Sequence, residues 1–121
     1  MSELSHQIRC ANYLNTLPST VIDGRLVWTH PPNGGKRANN SGREMNQSGT
    51  RRGVPDILIF ESPPTHPQYV GAALELKAPG GKTSTEQEHW LEFLAACGWY
   101  TAVREGSRAM KQLIRELGYD A

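Results

Sequence analysis

The chain has 121 residues, of which 37% are hydrophobic and 21% are charged, and its formal net charge is +1. This composition excludes wholesale disorder, and the length is typical of one domain. No apolar stretch approaches the ~18 residues that a membrane-spanning helix needs, and the N-terminus lacks the basic and then apolar pattern of a signal peptide. We therefore predict a single domain over residues 1–121, without a membrane partner.

The N-terminal segment predicts a helix followed by a short strand. Apolar residues recur there at helical spacing, and Pro18 ends the pattern. These apolar residues are Leu4, Ile8, Ala11, Leu14 and Leu17. Residues 25–29 are typical of a strand that places Leu26 and Trp28 on one face.

Residues 31–52 form a segment rich in Gly, Asn, Ser and Arg. It is too long for an ordinary connection, and long loops in compact domains usually carry function. Between His30 and Gly53 there is a single acid, Glu44, against five basic residues. These are Lys36, Arg37, Arg43, Arg51 and Arg52. We predict that this segment meets a polyanion, although its composition alone fits a solvated surface loop at least as well.

The second half of the chain alternates strands and helices. Strands are predicted at residues 54–60 and 72–77, separated by a proline-rich excursion, and at residues 100–103. Ser84 with Gln87 fits a capping box that opens one helix, and Ser107 is expected to cap the last. The last helix directs Met110, Leu113, Ile114 and Leu117 to the core. The order α-β-β-β-α-β-α predicts an α/β fold with a mixed sheet flanked by helices.

Cysteines and aromatic residues are expected to be structural. Cys10 and Cys97 each lie in a helical pattern, so we expect two buried thiols rather than a disulfide. No pair of the four histidines has zinc-ligand spacing, which argues against a structural zinc site. The three tryptophans are expected to fill the core or an interface rather than to stack on bases.

Three charged residues suggest a reaction centre. In a strand over residues 72–77, Glu75 and Lys77 point to the same side about 7 Å apart. If the preceding strand pairs with it as an antiparallel hairpin, Asp56 falls near Leu76, and an offset of one residue places it on the face of Glu75. Carboxylates so placed hold Mg²⁺ or Mn²⁺, and the ammonium orients or deprotonates an attacking water. The alternative is a surface Glu-Lys pair with an unrelated Asp in a turn.

Three motifs combine into a more specific pattern. A GxPD motif occupies residues 53–56, an ExK motif residues 75–77, and an S-x-x-Q motif residues 84–87, with Gly98 after the helix. This pattern resembles the VRR-NUC family, a branch of the PD-(D/E)XK nuclease superfamily, over nearly the whole chain. The N-terminal helix adds Glu3 and Gln7, four residues apart, and residues 30–37 resemble a segment of small phage-type members.

The resemblance implies a PD-(D/E)XK restriction-endonuclease-like core and a DNA endonuclease that depends on Mg²⁺ or Mn²⁺. Its implied metal ligands are Asp56, Glu75, the backbone carbonyl of Leu76, and Glu3. Lys77 would be catalytic, and Gln87 would either contact the active-site edge or serve only in its capping box. The expected DNA contacts are the five basic residues together with His30 and Asn33, and for His30 a structural role at the end of a strand is an equal alternative.

Small members of this family suggest a homodimer acting on branched DNA such as four-way (Holliday) junctions, in the cytoplasm of a bacterium or a phage-infected cell. Two-fold symmetry would supply the two sites that symmetric incision needs. Trp99, Tyr100, Met110 and Ile114 are the predicted interface residues. Two alternatives stay open: a non-catalytic DNA-binding module with the same fold, and a nuclease with flap, nick or short-sequence preference.

Overall fold

The computed structural model describes residues 1–32 and 48–120. The helices are α1 (Glu3–Leu14), α2 (Thr85–Ala96) and α3 (Ser107–Glu116). The strands are β1 (Trp28–Thr29), β2 (Ile57–Ile59), β3 (Ala72–Lys77) and β4 (Tyr100–Glu105). The predicted order α-β-β-β-α-β-α is confirmed. Within the described ranges, no helix is long and apolar enough to cross a membrane.

The four strands form one mixed sheet in the order β1-β2-β3-β4. β1 pairs with β2 and β2 with β3 in antiparallel fashion, whereas β3 and β4 are parallel. The parallel pair requires a crossover, and α2 provides it. Every residue of β3 is buried, because this strand has a neighbour on each side and is covered on both faces.

β2 and β1 are shorter than predicted. β2 starts at Ile57 rather than at residue 54, since Pro55 has no N–H for a ladder and the Asp56 side chain itself accepts a hydrogen bond from β3. Asp56 therefore lies at the entrance of the strand and not inside it. β1 keeps only two of the five predicted residues, and Arg25 forms an isolated bridge with Pro18.

The main hydrophobic core lies between one face of the sheet and the pair α1 and α3. Leu74 and Leu76 point into it, and they meet side chains from both helices. The helical members that are fully buried are Cys10, Leu14, Met110 and Ile114. Burying each large apolar side chain contributes about 1.5–3 kcal/mol. Because Met110 and Ile114 are inside this core, the prediction that they form a dimer interface is wrong.

The apolar residues of the N-terminal pattern divide between core and surface. The buried face of α1 is Gln7, Cys10 and Leu14, and Leu17 is buried after the helix, whereas Leu4 and Ile8 are exposed. The prediction that Cys97 is buried is wrong, because this residue follows the last turn of α2 at the surface. Cys10 is buried as predicted, and both thiols are free.

The start of α3 differs from the expected side-chain cap. The N-cap residue is Gly106, with φ at +83°, and Ser107 is the first helical residue. The Ser107 N–H donates instead to Nδ1 of His6 on α1, at 2.9 Å. The same imidazole nitrogen lies 3.1 Å from the Ser107 hydroxyl. A histidine 101 residues away in sequence thus supplies the acceptor that a capping side chain would otherwise provide.

Candidate active site

Asp56 and Glu75 face each other at one end of the β2–β3 pair. Ile57 is paired with Leu74, so one further step of the antiparallel register sets Asp56 opposite Glu75. Residues directly opposite in an antiparallel pair share a face. The predicted one-residue offset is therefore confirmed. Asp56 Oδ2 accepts a hydrogen bond from the Leu76 backbone N–H at 2.8 Å, which fixes the carboxylate against β3.

The turn before Asp56 is built around Gly53. Its φ of +85° is in the left-handed region that glycine adopts most readily. A Cβ at this position would lie 2.7 Å from the carbonyl carbon of Glu86, so no other residue fits without a shift. This close approach holds the loop that carries Asp56 against the first turn of α2.

His30 supports the Asp56 backbone from the other side. Its Nδ1 lies 2.7 Å from the Asp56 carbonyl oxygen. A carbonyl oxygen only accepts, so Nδ1 carries the proton in this contact. His30, predicted as a DNA contact, is thus placed beside the reaction centre and ties the end of β1 to the entrance of β2.

Only one of the two oxygen atoms of the buried Glu75 side chain has a hydrogen-bond partner among the described residues. The residue is 1% exposed. Its Oε2 accepts from Gln87 Nε2 at 2.9 Å and lies 3.3 Å from Lys77 Nζ. Its Oε1 is buried and has no hydrogen-bond partner among the described residues. Burial, together with the charge of Asp56, raises the pKa of Glu75 to about 8.

Gln87 connects the helix cap to the charged centre. Its Oε1 accepts from the Ser84 backbone N–H at 2.8 Å, which completes the predicted capping box. The same oxygen accepts from Lys77 Nζ at 2.9 Å, while the amide nitrogen donates to Glu75. Gln87 therefore caps α2 and at the same time contacts the two charged residues of the candidate site.

An open cavity of about 250 Å³ lies beside Asp56. It is lined by Glu3, Leu4, Gln7, His30 and Asp56. Gln7 is 8% exposed, and neither its amide oxygen nor its nitrogen has a partner within residues 1–32 and 48–120. Gln7 belongs to the motif of the N-terminal helix, but the sequence predicts no role for it in the site. Its place is indicated by helical spacing, because Gln7 lies three residues before Cys10 and seven before Leu14, on the buried face of α1.

The donor set fits a hard divalent cation. Asp56 and Glu75 offer oxygen atoms only, and the unpartnered Glu75 Oε1 is the kind of buried acceptor that a cation satisfies. In the part of the chain that the structure describes, no three His, Cys, Asp or Glu side chains are grouped to hold a metal. Two carboxylates, backbone oxygen and water form a typical Mg²⁺ environment.

The predicted DNA-binding residues are only partly described. Arg51 and Arg52 are exposed on the loop that leads to Gly53. Asn33, Lys36, Arg37 and Arg43 lie outside the described residues.

The mixed sheet, with an aspartate at the entrance of one strand and Glu-x-Lys on its antiparallel neighbour, defines a PD-(D/E)XK-type nuclease fold. The family model described as "VRR-NUC domain" matches residues 5–108. A solved structure titled "VRR_NUC domain protein" is similar to this chain with a TM-score of 0.78 and 18% identity, over 100% of this chain and 91% of that one. No curated protein sequence matches the chain significantly. The chain belongs to the VRR-NUC family, as its motifs predicted.

Proposed function

We propose that this protein is a divalent-metal-dependent DNA endonuclease that hydrolyses phosphodiester bonds. One observation carries the proposal: Glu75 is buried opposite Asp56 with one carboxylate oxygen unpartnered among the described residues, while its other oxygen is bound by Gln87 beside Lys77. An acidic pair of this kind has no use in a protein that only binds a polyanion. Carboxylates beside a lysine are suited to metal-assisted hydrolysis of a phosphodiester.

Each residue has a role that follows from its contacts. Asp56, Glu75 and the Leu76 carbonyl would hold Mg²⁺ or Mn²⁺, and Glu3 would act across the cavity through water. When bound, the ion supplies Lewis-acid activation of a water and neutralises charge on the phosphate. The Lys77 ammonium donates a hydrogen bond to Gln87 Oε1 and forms an ion pair with Glu75 at 3.3 Å. An ammonium has three N–H donors, so among the described residues Lys77 keeps donor capacity for the attacking water or a phosphate oxygen.

The proposed substrate is branched DNA such as a four-way junction, and the proposed assembly is a homodimer. A two-fold dimer places two equivalent centres at a fixed separation, as paired incision of opposite strands requires. Of the predicted interface residues, Trp99 and Tyr100 remain candidates because both are half-buried. The basic residues between 31 and 52 would contact phosphates and so make DNA affinity fall with salt.

The decisive experiment is a cleavage assay on end-labelled linear, nicked, flapped and four-way DNAs of one sequence. We expect cleavage with Mg²⁺ or Mn²⁺, none with EDTA, and the highest rate on the four-way junction. Glu75→Gln is the matched inactive control. A folded protein that binds these DNAs but cuts none of them with either metal would overturn the endonuclease proposal. Equal cutting of all four would overturn the branch preference.

A further inference from the structure

Two adjoining cavities meet at Trp90 of α2, three residues after Gln87. The first, of about 370 Å³, is lined by Arg51, His89, Trp90 and Phe93. The second, of about 320 Å³, shares Arg51 and Trp90 with it. We call the first cavity the α2 groove. Its volume falls in the range of about 300–1,000 Å³ that is usual for small-ligand sites.

The aromatic walls of the α2 groove are fixed and accessible. Trp90 is half-buried, and its indole N–H donates to the Arg52 carbonyl at 3.0 Å, which holds the ring in place. Phe93 is three residues further along the helix, on the same side, and is 55% exposed. The exposed Phe93 ring beside the held indole offers an apolar surface that a planar ligand can contact.

The α2 groove begins one helical turn from the reaction centre. Gln87, which binds Glu75 and Lys77, is on the same helix as Trp90 and Phe93. At 1.5 Å per residue, the two aromatic residues lie about 4.5 and 9 Å along the axis from Gln87. These axial separations correspond to about one to three phosphate spacings in one DNA strand, so a strand of a few nucleotides spans both Gln87 and the groove.

The charges around the groove favour a base over a phosphate. α2 carries three exposed glutamates, Glu86, Glu88 and Glu92, which make the helix a poor track for phosphates. A neutral base is not repelled by them, and the aromatic rings offer it stacking surface. Arg51 at the edge of the groove contributes a guanidinium plane and a positive charge for the adjoining backbone.

We propose that the α2 groove binds an unstacked nucleobase of single-stranded DNA beside the scissile phosphate. In a continuous duplex the faces of the bases are covered by their neighbours, so the ligand is an unpaired base, as is found in single strands and at open branch points. Stacking on the two aromatic rings tolerates any base, so the groove is expected to bind bases with little sequence preference. This inference rests on the proposed function only in taking DNA as the ligand.

The test compares two oligonucleotides with equal numbers of phosphates: a fluorescein-labelled oligothymidine, and the same length of abasic spacer. Anisotropy is measured in EDTA, so that cleavage plays no part. We expect the oligothymidine to bind about tenfold more tightly, because each stacked base adds substantially to affinity. Phe93→Ala should reduce its affinity to that of the abasic strand, and Phe93→Trp should preserve it.

Phe60→Ala is the matched control, because Phe60 is 51% exposed at the other end of β2 and packs edge-on against Trp99. It should keep the full preference for bases. Equal binding of the two oligonucleotides by the unchanged protein, or a preference that survives Phe93→Ala, would overturn the inference. The two proposals can fail separately. If the protein prefers bases in a Phe93-dependent way but never cuts DNA, the base-binding role of the groove is supported and the endonuclease proposal is overturned.

Discussion

Two buried glutamates, Glu75 and Glu61, differ in their hydrogen bonds and in the direction in which their pKa values are shifted. They are 1% and 4% exposed. Glu61 accepts from the Thr20 N–H at 2.7 Å, the Thr20 hydroxyl at 2.8 Å and the Val27 N–H at 2.9 Å. Burial alone would raise its pKa, but these hydrogen bonds lower it below the ordinary value. Burial and Asp56 instead raise the pKa of Glu75 to about 8.

The difference separates a structural carboxylate from a functional one. Both oxygens of Glu61 are bonded, and they tie the connection between α1 and β1 to the sheet, while its backbone carbonyl accepts from the buried Tyr119 hydroxyl at 2.7 Å. Glu75 keeps one oxygen without a partner in the described residues and faces a second carboxylate. A buried acceptor left open destabilises the fold unless a ligand completes it.

The largest expected effect of substituting one of these two glutamates is on the rate of DNA cleavage. Glu75→Gln should lower the cleavage rate by about 10²–10³-fold or more, because it removes a charge that would hold the ion while keeping the side-chain volume. Asp56→Asn and Lys77→Ala should have similar effects and leave DNA binding largely intact. Glu61→Gln should keep the normal rate per folded molecule. Single-turnover cleavage of a four-way junction measures all four variants, and wild-type rates for Glu75→Gln would refute the site.

The next effect is on the pH dependence of stability in EDTA. Because the pKa of Glu75 is higher in the folded than in the unfolded protein, the folded state binds the extra proton. The free energy of unfolding should therefore fall as pH rises from about 4.5 towards about 8. Glu75→Gln removes this fall and should stabilise the metal-free protein at pH 8 by a few kcal/mol, with about 5 kcal/mol as the upper bound. Urea unfolding across this pH range is the measurement, and parallel pH profiles for the two proteins would contradict the expectation.

The same substitution at Glu61 should have the opposite effect on stability, lowering the free energy of unfolding. A glutamine keeps one oxygen acceptor and replaces the other with an NH2 donor, which faces either the Thr20 donors or the Val27 N–H. Glu61→Gln should therefore destabilise the protein by about 2–4 kcal/mol at neutral pH. Since the folded-state pKa of Glu61 is lowered, its contribution is present above its ordinary pKa and is lost as pH falls through the lowered value. Unchanged stability of Glu61→Gln in urea at neutral pH would show that the three hydrogen bonds do not act as described.

The smallest effects separate the two roles of Gln87. Ser84→Ala removes the hydroxyl that accepts from the Gln87 backbone N–H, and should cost about 1 kcal/mol of stability without slowing cleavage. Gln87→Ala also frees Lys77 and Glu75 from their shared partner, and should slow cleavage by about 10–100-fold. Unfolding and single-turnover rates are measured for both. Equal rates for the two variants would reduce Gln87 to a helix cap.

Local patterns predicted much of this structure. The bounds of β3, the capping box of α2 and the positive φ of Gly98 follow from short motifs whose physics lies within a few residues. The antiparallel pairing of the strands that carry Asp56 and Glu75 was also predicted, but the register was not fixed by alternation, because every residue of β3 is buried.

Long-range partners could not be predicted in this way. Nothing near Ser107 indicates that His6 supplies its acceptor, so the expected Ser107 cap was wrong. Helical spacing identifies an amphipathic helix but not which of two neighbouring faces is buried, and Leu4 and Ile8 are exposed for that reason. The open oxygen of Glu75 is likewise a property of everything that surrounds it. Only the assembled fold shows that no described donor reaches it.

The central claim, that Glu75 with Asp56 forms a cation site whereas Glu61 does not, is tested most directly by Mn²⁺ binding. Titration of wild type, Glu75→Gln and Glu61→Gln, followed by the electron paramagnetic resonance signal of free Mn²⁺, reports binding without DNA or turnover. We predict that wild type and Glu61→Gln bind Mn²⁺ with the same affinity and that Glu75→Gln binds it at least about tenfold more weakly. Equal binding by wild type and Glu75→Gln would contradict the account.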